Sequence, residues 1–347
     1  MIGEYGKWLA FSIFINQNTC ELGCFVSAKS DSAQTHVALH KRPWYVRMLK
    51  QWDLQLLVIP AIIYIFIFFY VPMYGIIIAF QEFRLGDTFG LSEWVGLEHF
   101  RVLFNDPFFP RIMRNNMVMG ALRVFLYFPL PILFAVLLNE LRSVKFKKFT
   151  QTVSYLPFFI SWVVAATLLR DFLHVEHGAF NQLLMSMRII SEPMFIFGDG
   201  RYFWGLFFIS HVWKEIGFGA IIYVAAITSI DQEQYEAASI DGASRIQKMW
   251  YITIAGIKPT IIILFILNVG SFMVTSFDQI MMLTDMMNNS FLRDRADILS
   301  TYAFRVGIAN RRFSFASAVN LFATLINFAI LLLANWIARR KSESSLF

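Results

Sequence analysis

Long apolar runs recur along the 347-residue chain, and they constrain its fold more than any other feature. The first reads LLVIPAIIYIFIFFYVPMYGIIIAF and holds no charged residue. A run of about 18 apolar residues is long enough to cross the hydrocarbon core of a bilayer. Inside that core a helix satisfies every backbone hydrogen bond within one segment. The sequence therefore predicts an all-α integral membrane protein.

Six of these runs are predicted to be transmembrane helices. Pro72 is expected to kink the first of them. Hydrophobic residues make up 57% of the chain and charged residues 16%, whereas a soluble domain carries about 25% charged residues. The predicted spans are residues 54–80, 116–141, 152–172, 202–230, 260–283 and 315–338.

The distribution of positive charge predicts how these helices are oriented. If the N-terminus is cytoplasmic, every lysine except Lys214 falls on the cytoplasmic side, including those in RSVKFKK at 142–148. Cytoplasmic loops of membrane proteins carry an excess of Lys and Arg. We therefore expect both termini, and residues 231–259, to be cytoplasmic. Nucleic acid is not an expected partner, because no basic stripe with interleaved aromatic residues is present.

The ends of the chain differ from the apolar body. Residues 1–49 are predicted to form a cytoplasmic extension that is disordered in part, or to precede a translation start nearer Met48. Residues 50–340 are predicted to form the six-helix domain, and residues 341–347 a cytoplasmic tail. The two cysteines, Cys20 and Cys24, lie in the extension, and no further ligand completes a metal site around them. No metal or cofactor is expected in this chain.

Between the fourth and fifth spans lies a polar stretch with two helix-start signals. Asp231 with Gln234 three residues later indicates an N-cap, and Ser244 with Gln247 repeats the pattern. Gly242, between them, is expected to end the first helix. The pattern predicts two short helices on the cytoplasmic side. From the pattern alone, an amphipathic connector on the membrane surface and a protein-docking element are equally good interpretations.

EAASIDGA followed by ITIAGIKPT, residues 236–243 and 252–260, resembles a known motif. It is similar to the EAA loop in permease subunits of binding-protein-dependent ABC importers. In that family the loop forms a coupling helix that sits in a cleft of the cytoplasmic ATPase. Ala255 stands where the family usually has proline, which predicts that the loop enters the fifth span without the usual kink. The resemblance assigns the coupling role to Glu236, Ala237, Ala238, Asp241, Gly242 and Ala243.

Further blocks extend the resemblance over residues 50–340. They are similar to the polysaccharide-type, LplB-like branch of the carbohydrate-uptake permeases. The resemblance implies a six-helix ABC importer permease of type I in a bacterial cytoplasmic membrane. A peptide or polyol importer of the same architecture is the alternative. The blocks are VPMYGIIIAFQEF, NELRSVKFKK, SYLPFFISWVV, WKEIGFGAIIYVAAITSID, SFDQI and RFSFASAVNLFATLINFAILLLANWIARR.

The resemblance also implies partners for this chain. They are a second, related permease, a cytoplasmic ATPase dimer, the lipid bilayer, and an extracytoplasmic solute-binding protein that delivers an oligosaccharide. The sequence has no GxxxxGK[ST] phosphate loop. We therefore expect ATP and Mg²⁺ to bind to the partner ATPase, and this chain not to be an enzyme.

Charged residues inside a span are costly and mark candidate functional sites. Lys214 and Glu215 lie within the fourth span, adjacent in sequence, so they are not expected to face each other on the helix. They are candidates for the substrate pathway. The alternative is a polar clamp between helices, with Arg123 of the second span as a partner.

The fifth span carries polar residues at spacings of 3, 4, 3 and 1, which predicts one polar stripe along a helix that walls a cavity. Tyr223, in the fourth span, is a candidate stacking surface for sugar, and packing is its alternative role. The stripe comprises Asn268, Ser271, Thr275, Asp278 and Gln279.

Overall fold

The computed structural model describes residues 52–84, 86–87, 92–273 and 276–341. The extension 1–49, its two cysteines, Thr275 and the tail 342–347 lie outside the described residues. Where it is described, the chain is helical and contains no strand, with one isolated bridge between Gln81 and Trp94. Contacts divide the chain into two compact units, Met1–Ile77 and Ile78–Phe347.

The first unit contains α1, Trp52–Ile65, which continues as a π-helical turn at Phe66–Tyr70 and a short helix at Val71–Met73. A 3₁₀ segment, Tyr74–Phe80, follows and runs on into the second unit. Helix type therefore changes on either side of Pro72. A proline removes a backbone donor and so disturbs the i to i−4 ladder at this position.

The remaining helices belong to the second unit. Among the described residues, three of them, α3, α10 and α14, continue as π-helical segments at Leu122–Tyr127, Met249–Ile254 and Arg305–Ala309. Helix α5 continues as a 3₁₀ segment at Leu156–Phe159. The helices are α2 Glu98–Asn105, α3 Phe109–Ala121, α4 Pro129–Asn139, α5 Val144–Tyr155, α6 Trp162–Phe172, α7 Ala179–Ser186, α8 Phe203–Thr228, α9 Gln232–Ile240, α10 Arg245–Lys248, α11 Lys258–Val269, α12 Phe277–Leu283, α13 Ser290–Ala296, α14 Leu299–Phe304 and α15 Phe313–Lys341.

Within the described residues, four continuous helices are long and apolar enough to cross a membrane, and two bent pairs bring the number to six if each pair is one span. The first bent pair, Val144–Phe159 with Trp162–Phe172, turns through 104°, and the second, Arg245–Ile254 with Lys258–Val269, through 62°. The continuous helices are Gln55–Phe80, Phe109–Asn139, Gly200–Thr228 and Phe313–Arg340. The all-α membrane fold is confirmed.

The predicted course of the fifth span is wrong at both ends. The chain bends by 62° before α11 although residue 255 is alanine, because Pro259 in the first turn starts a new helix. The helix then ends at Val269 instead of continuing to residue 283. Asn327 of α15 accepts the Met273 N–H at 2.7 Å and so holds the chain after the helix end.

Three apolar clusters form the core of the second unit among its described residues. One surrounds the start of α8 together with α12 and α13, and a second joins α2 and α3 to α14 and α15. The third packs α4 against the other half of α8 and against Ile257 beside α11. Helix α8 therefore runs through two of the three clusters, and its last residue, Thr228, is followed after two residues by the Asp231 cap of α9.

Candidate functional site

The first helix of the polar loop, α9, begins where the sequence predicts. Asp231 is its N-cap and its Oδ1 accepts the Glu233 N–H at 3.0 Å. Glu233 also places a carboxylate in the first turn, where the positive end of the helix dipole stabilises it. The predicted cap at Asp231 is confirmed.

The end of α9 is closed by a left-handed glycine. Gly242 has φ +75°, a conformation that costs any residue with a Cβ. Its N–H donates to Ser239 O at 3.2 Å, and the Ala243 N–H donates to Ala238 O at 2.9 Å. This pair of bonds is a Schellman motif, which satisfies carbonyls that would otherwise lack partners at the helix end.

A second cap follows at once. The Ser244 N–H donates to Gln247 Oε1 at 2.7 Å, and the Gln247 N–H donates to Ser244 Oγ at 3.4 Å. The reciprocal pair is the predicted capping box, and it opens α10. The loop is thus two capped helices joined at Gly242, as the sequence predicts.

Helix α9 is held to the rest of the molecule through few contacts. None of its nine residues is buried, and Ile240 is 88% exposed. The Tyr235 hydroxyl is 2.9 Å from Thr253 Oγ1, and Lys248 Nζ donates to Ser239 Oγ at 2.6 Å. Of the predicted coupling residues, four are exposed and two half-buried, and all lie together on this helix and its turn: Glu236, Ala237, Asp241 and Gly242, then Ala238 and Ala243.

A cleft of about 640 Å³ lies beside the loop. One side is formed by residues 139–142, the start of the basic turn between α4 and α5. The other side is formed by loop residues, including Gln232, Tyr235 and Arg245. The two predicted cytoplasmic segments therefore meet, although about 90 residues separate them in the sequence. Their shared charge pattern indicates the same side of the membrane but not this contact.

Lys214 and Glu215 contact each other, and the expectation that they do not is wrong. Lys214 Nζ is 3.7 Å from Glu215 Oε1, a distance that the long, flexible lysine side chain allows although the two residues are adjacent. The same ammonium donates to the backbone oxygen of Phe158 at 2.9 Å. Arg123 Nη2 of the second span donates to Ser271 Oγ, in the turn after α11, at 2.8 Å. These helix-to-helix contacts favour the clamp over the pathway for Lys214.

The predicted polar stripe is divided between two segments. Asn268 and Ser271 lie at the end of α11 and in the turn after it, whereas Asp278 and Gln279 belong to α12. Helix α11 ends at Val269, so the regular spacing of these residues does not place them on one helical face. The prediction of a single stripe is wrong.

The residues that were predicted to form the stripe lie in different surroundings. Gln279 is fully buried and its Nε2 donates to Phe207 O at 2.7 Å and to Ser210 Oγ at 3.0 Å, which indicates a structural role. Asp278 is exposed, and Asn268 Oδ1 is buried without a hydrogen-bond donor among the described residues. Asp278 and Asn268 therefore stay candidates for a polar cavity.

Tyr223 lies in the apolar core of the second unit. Its side chain belongs to the cluster that includes Ala135, Val136 and Ala220, and the residue is 4% exposed. A sugar ring needs an open aromatic face to stack on. The structure therefore contradicts the assignment of Tyr223 as a stacking surface and supports its alternative role in packing.

A buried carboxylate that the sequence does not point to lies near α14. Asp297 is fully buried, and its carboxylate accepts hydrogen bonds from Thr301 Oγ1 at 2.8 Å and from Arg305. Burial raises the pKa of Asp297, while the charge of Arg305 opposes that rise. Asn115 Nδ2 donates to the Asp297 backbone oxygen at 3.0 Å and so ties α3 to this segment.

Comparison with known proteins identifies the family. Residues 115–343 match the family described as binding-protein-dependent transport system inner membrane component. The chain is 38% identical over 304 residues to protein LplB of Bacillus subtilis (strain 168), covering 88% of this chain and 94% of the relative. It is also 38% identical over 302 residues to the polygalacturonan/rhamnogalacturonan transport system permease protein YteP of the same organism, covering 87% and 92%.

The fold has a counterpart of known structure. It is similar to a chain in the crystal structure of a bacterial alginate ABC transporter in complex with an alginate pentasaccharide-bound periplasmic protein. The TM-score is 0.79 at 33% identity, and the match covers 87% of this chain and 99% of that chain. Sequence and fold agree over nearly the same length, and the chain belongs to the binding-protein-dependent transport system inner membrane components, the permease subunits of ABC importers.

Proposed function

We propose that this chain is a transmembrane subunit of an ATP-driven importer that moves oligosaccharides derived from polysaccharides into a bacterial cell. The relatives named for polygalacturonan, rhamnogalacturonan and alginate support this substrate class over a peptide or a polyol. The chain works with a second, related permease and with an extracytoplasmic solute-binding protein. The proposed orientation places both termini on the cytoplasmic side of the cytoplasmic membrane, in agreement with the lysine distribution.

The proposed mechanism rests on the polar loop, residues 231–259, which we call the coupling loop. A nine-residue helix that buries none of its residues gains little stability from its own chain, so its exposed surface is suited to a partner. We place the ATPase dimer on this surface, in contact with Glu236, Ala237, Ala238, Asp241, Gly242 and Ala243. ATP and Mg²⁺ bind to that partner. Closure of the ATPase dimer displaces α9, and the displacement moves the spans between outward-open and inward-open arrangements.

Within the membrane, Asp278 and Asn268 are the residues we propose for the substrate pathway. Asp278 is exposed at the start of α12, and Asn268 lies one residue before the end of α11. The exposed Asp278 carboxylate offers acceptors for sugar hydroxyl groups, and the buried Asn268 Oδ1 has no hydrogen-bond donor among the described residues. The buried Gln279 and Tyr223 are not part of this proposal.

Two experiments test the proposal. The chain is reconstituted in proteoliposomes with the permease, ATPase and binding protein that co-purify with it. ATP-dependent uptake of oligogalacturonides or alginate oligosaccharides is expected, and uptake of peptides or polyols alone would establish the alternative. In the second experiment, Ala237→Cys is expected to cross-link to the ATPase, whereas Ile209→Cys, exposed at 66% within α8, is not. Absence of the Ala237 cross-link in an active complex contradicts the coupling assignment.

A further inference from the structure

The 104° bend in the third span breaks the helical hydrogen-bond ladder inside an apolar segment. The 3₁₀ segment ends at Phe159, Ile160 and Ser161 are extended, and α6 starts at Trp162. Ser161 Oγ accepts the Val164 N–H at 3.3 Å and so caps the second half. Carbonyls at the end of the first half lose their helical donors, and a bilayer offers no water to replace them.

Lys214 of α8 supplies a donor at this bend. Its Nζ donates to the Phe158 backbone oxygen at 2.9 Å. The same nitrogen lies 5.1 Å from the ring centroid of Phe158 and 5.2 Å from that of Trp162, so the cation faces an aromatic ring on each side of the bend. Glu215, 3.7 Å away, balances the charge of an ammonium whose side chain is 6% exposed.

The next turn of α8 packs directly against the first half of the span. A Cβ added at Gly217 would lie 2.1 Å from the Ser154 backbone oxygen, so glycine is needed for the two helices to approach this closely. The Phe218 ring is stacked on the Phe158 ring, with centroids 3.7 Å apart and an angle of 1° between the planes. Helix α8 therefore contacts the backbone, the ring and the open carbonyl at the bend.

We propose that Lys214 is a positioning residue that holds the third span in its bent form, by donating to the Phe158 carbonyl and by facing both rings that flank the bend. Helix α8 carries α9 at its other end, separated only by residues 229–231. A displacement of α9 is transmitted along α8 to the bend through this ammonium. Lys214 thereby acts on the geometry of the third span and does not touch the transported solute.

Spin labels on both sides of the bend test the proposal directly. Labels at Phe149→Cys and Leu168→Cys occupy exposed positions before and after it, in full-length chain whose two native cysteines are replaced by serine. We expect one narrow distance distribution with native lysine and with Lys214→Arg, which keeps the charged donor. Lys214→Met should broaden or displace it. Transport by the reconstituted complex should fall by about 10- to 100-fold, the ratio expected when a hydrogen bond from a charged group is lost.

Each outcome decides for or against the proposal. An unchanged distance distribution in Lys214→Met overturns it, and a changed solute preference with the distance unchanged assigns Lys214 to the pathway instead. The double variant Lys214→Met/Glu215→Gln removes the unpaired carboxylate and is measured if the single variant does not accumulate. If neither accumulates, Lys214→Arg decides: accumulation with the native distance supports the proposal, and failure overturns it. The transport measurement rests on the proposed function, whereas the distance measurement does not, so the two can fail separately.

Discussion

Substitution of Gly242 by alanine is the sharpest test of the coupling loop, because the structure shows a single source of destabilisation at this position, the left-handed backbone conformation. Gly242 has φ +75°, and a left-handed residue with a Cβ costs about 1–2 kcal/mol. A Cβ built at this position meets no atom within 4 Å, so steric crowding adds nothing. A cost of that size changes the population of the native turn by a factor of about 5–30.

Because α9 buries none of its residues, this loss affects the loop and not the core. We expect Gly242→Ala to accumulate and assemble normally, while transport and substrate-stimulated ATPase activity in proteoliposomes fall about tenfold. Gly242→Asn should lose less, since asparagine tolerates the left-handed region. Gly205→Ala is the matched control: it adds the same methyl group in open space, within the regular helix α8. The reasoning is refuted if Gly242→Ala transports at the unsubstituted rate, or if Gly205→Ala loses as much.

Further predictions concern single side chains. Glu236→Ala, on the exposed face of α9, should leave an assembled complex without transport or substrate-stimulated ATPase activity, and normal transport would contradict its coupling role. Asp278→Ala should change the transport rate or the solute range without loss of expression. Gln279→Ala should lower the free energy of unfolding by about 1–3 kcal/mol, as measured by thermal unfolding in detergent, because Phe207 O and Ser210 Oγ each lose a buried hydrogen bond. Asp297→Asn removes the carboxylate that pairs with Arg305 and should lower the same free energy by about 1–3 kcal/mol while leaving the α9 cross-link to the ATPase intact.

The polar loop could be predicted from sequence because its determinants are local. Asp231, Gly242 and the Ser244–Gln247 pair act on backbone groups within five residues of themselves. Such caps give the same signal whatever packs around them. The six residues to which the resemblance assigns coupling are also consecutive or nearly so, which places them together once the loop is helical.

The fifth span could not be predicted in the same way because its end depends on distant residues. Gly270 lies against Leu331 of α15, where an added Cβ would be 2.6 Å from Leu331 Cδ1. Asn327 Oδ1, also in α15, accepts a hydrogen bond from the Met273 N–H. The hydrophobic periodicity of the sequence carries no information about these contacts between distant residues. A polar spacing that continues across the break therefore suggests one helix where the chain forms two segments.

The bend in the third span had a local signal that periodicity obscures. Pro157 lies in the 3₁₀ turn before the bend, and Ser161 is the N-cap of the helix after it. Both residues lie within SYLPFFISW, which reads as part of a continuous apolar run. What the sequence lacks is the direction of the turn, which is set by Lys214 and Gly217 of another helix.

The closure of both ends of α9 by its own neighbours makes this helix an independent module. Asp231 accepts a hydrogen bond from the first turn of α9, and the turn at Gly242 donates to carbonyls of its last turn. The exposed residues of α9 can therefore be substituted without repacking of the spans. If α9 binds the ATPase as we propose, recognition of the ATPase can diverge separately from solute selection. Exchange of residues 236–243 between two permeases should change which ATPase each permease binds, whereas solute selection should stay with the rest of the chain.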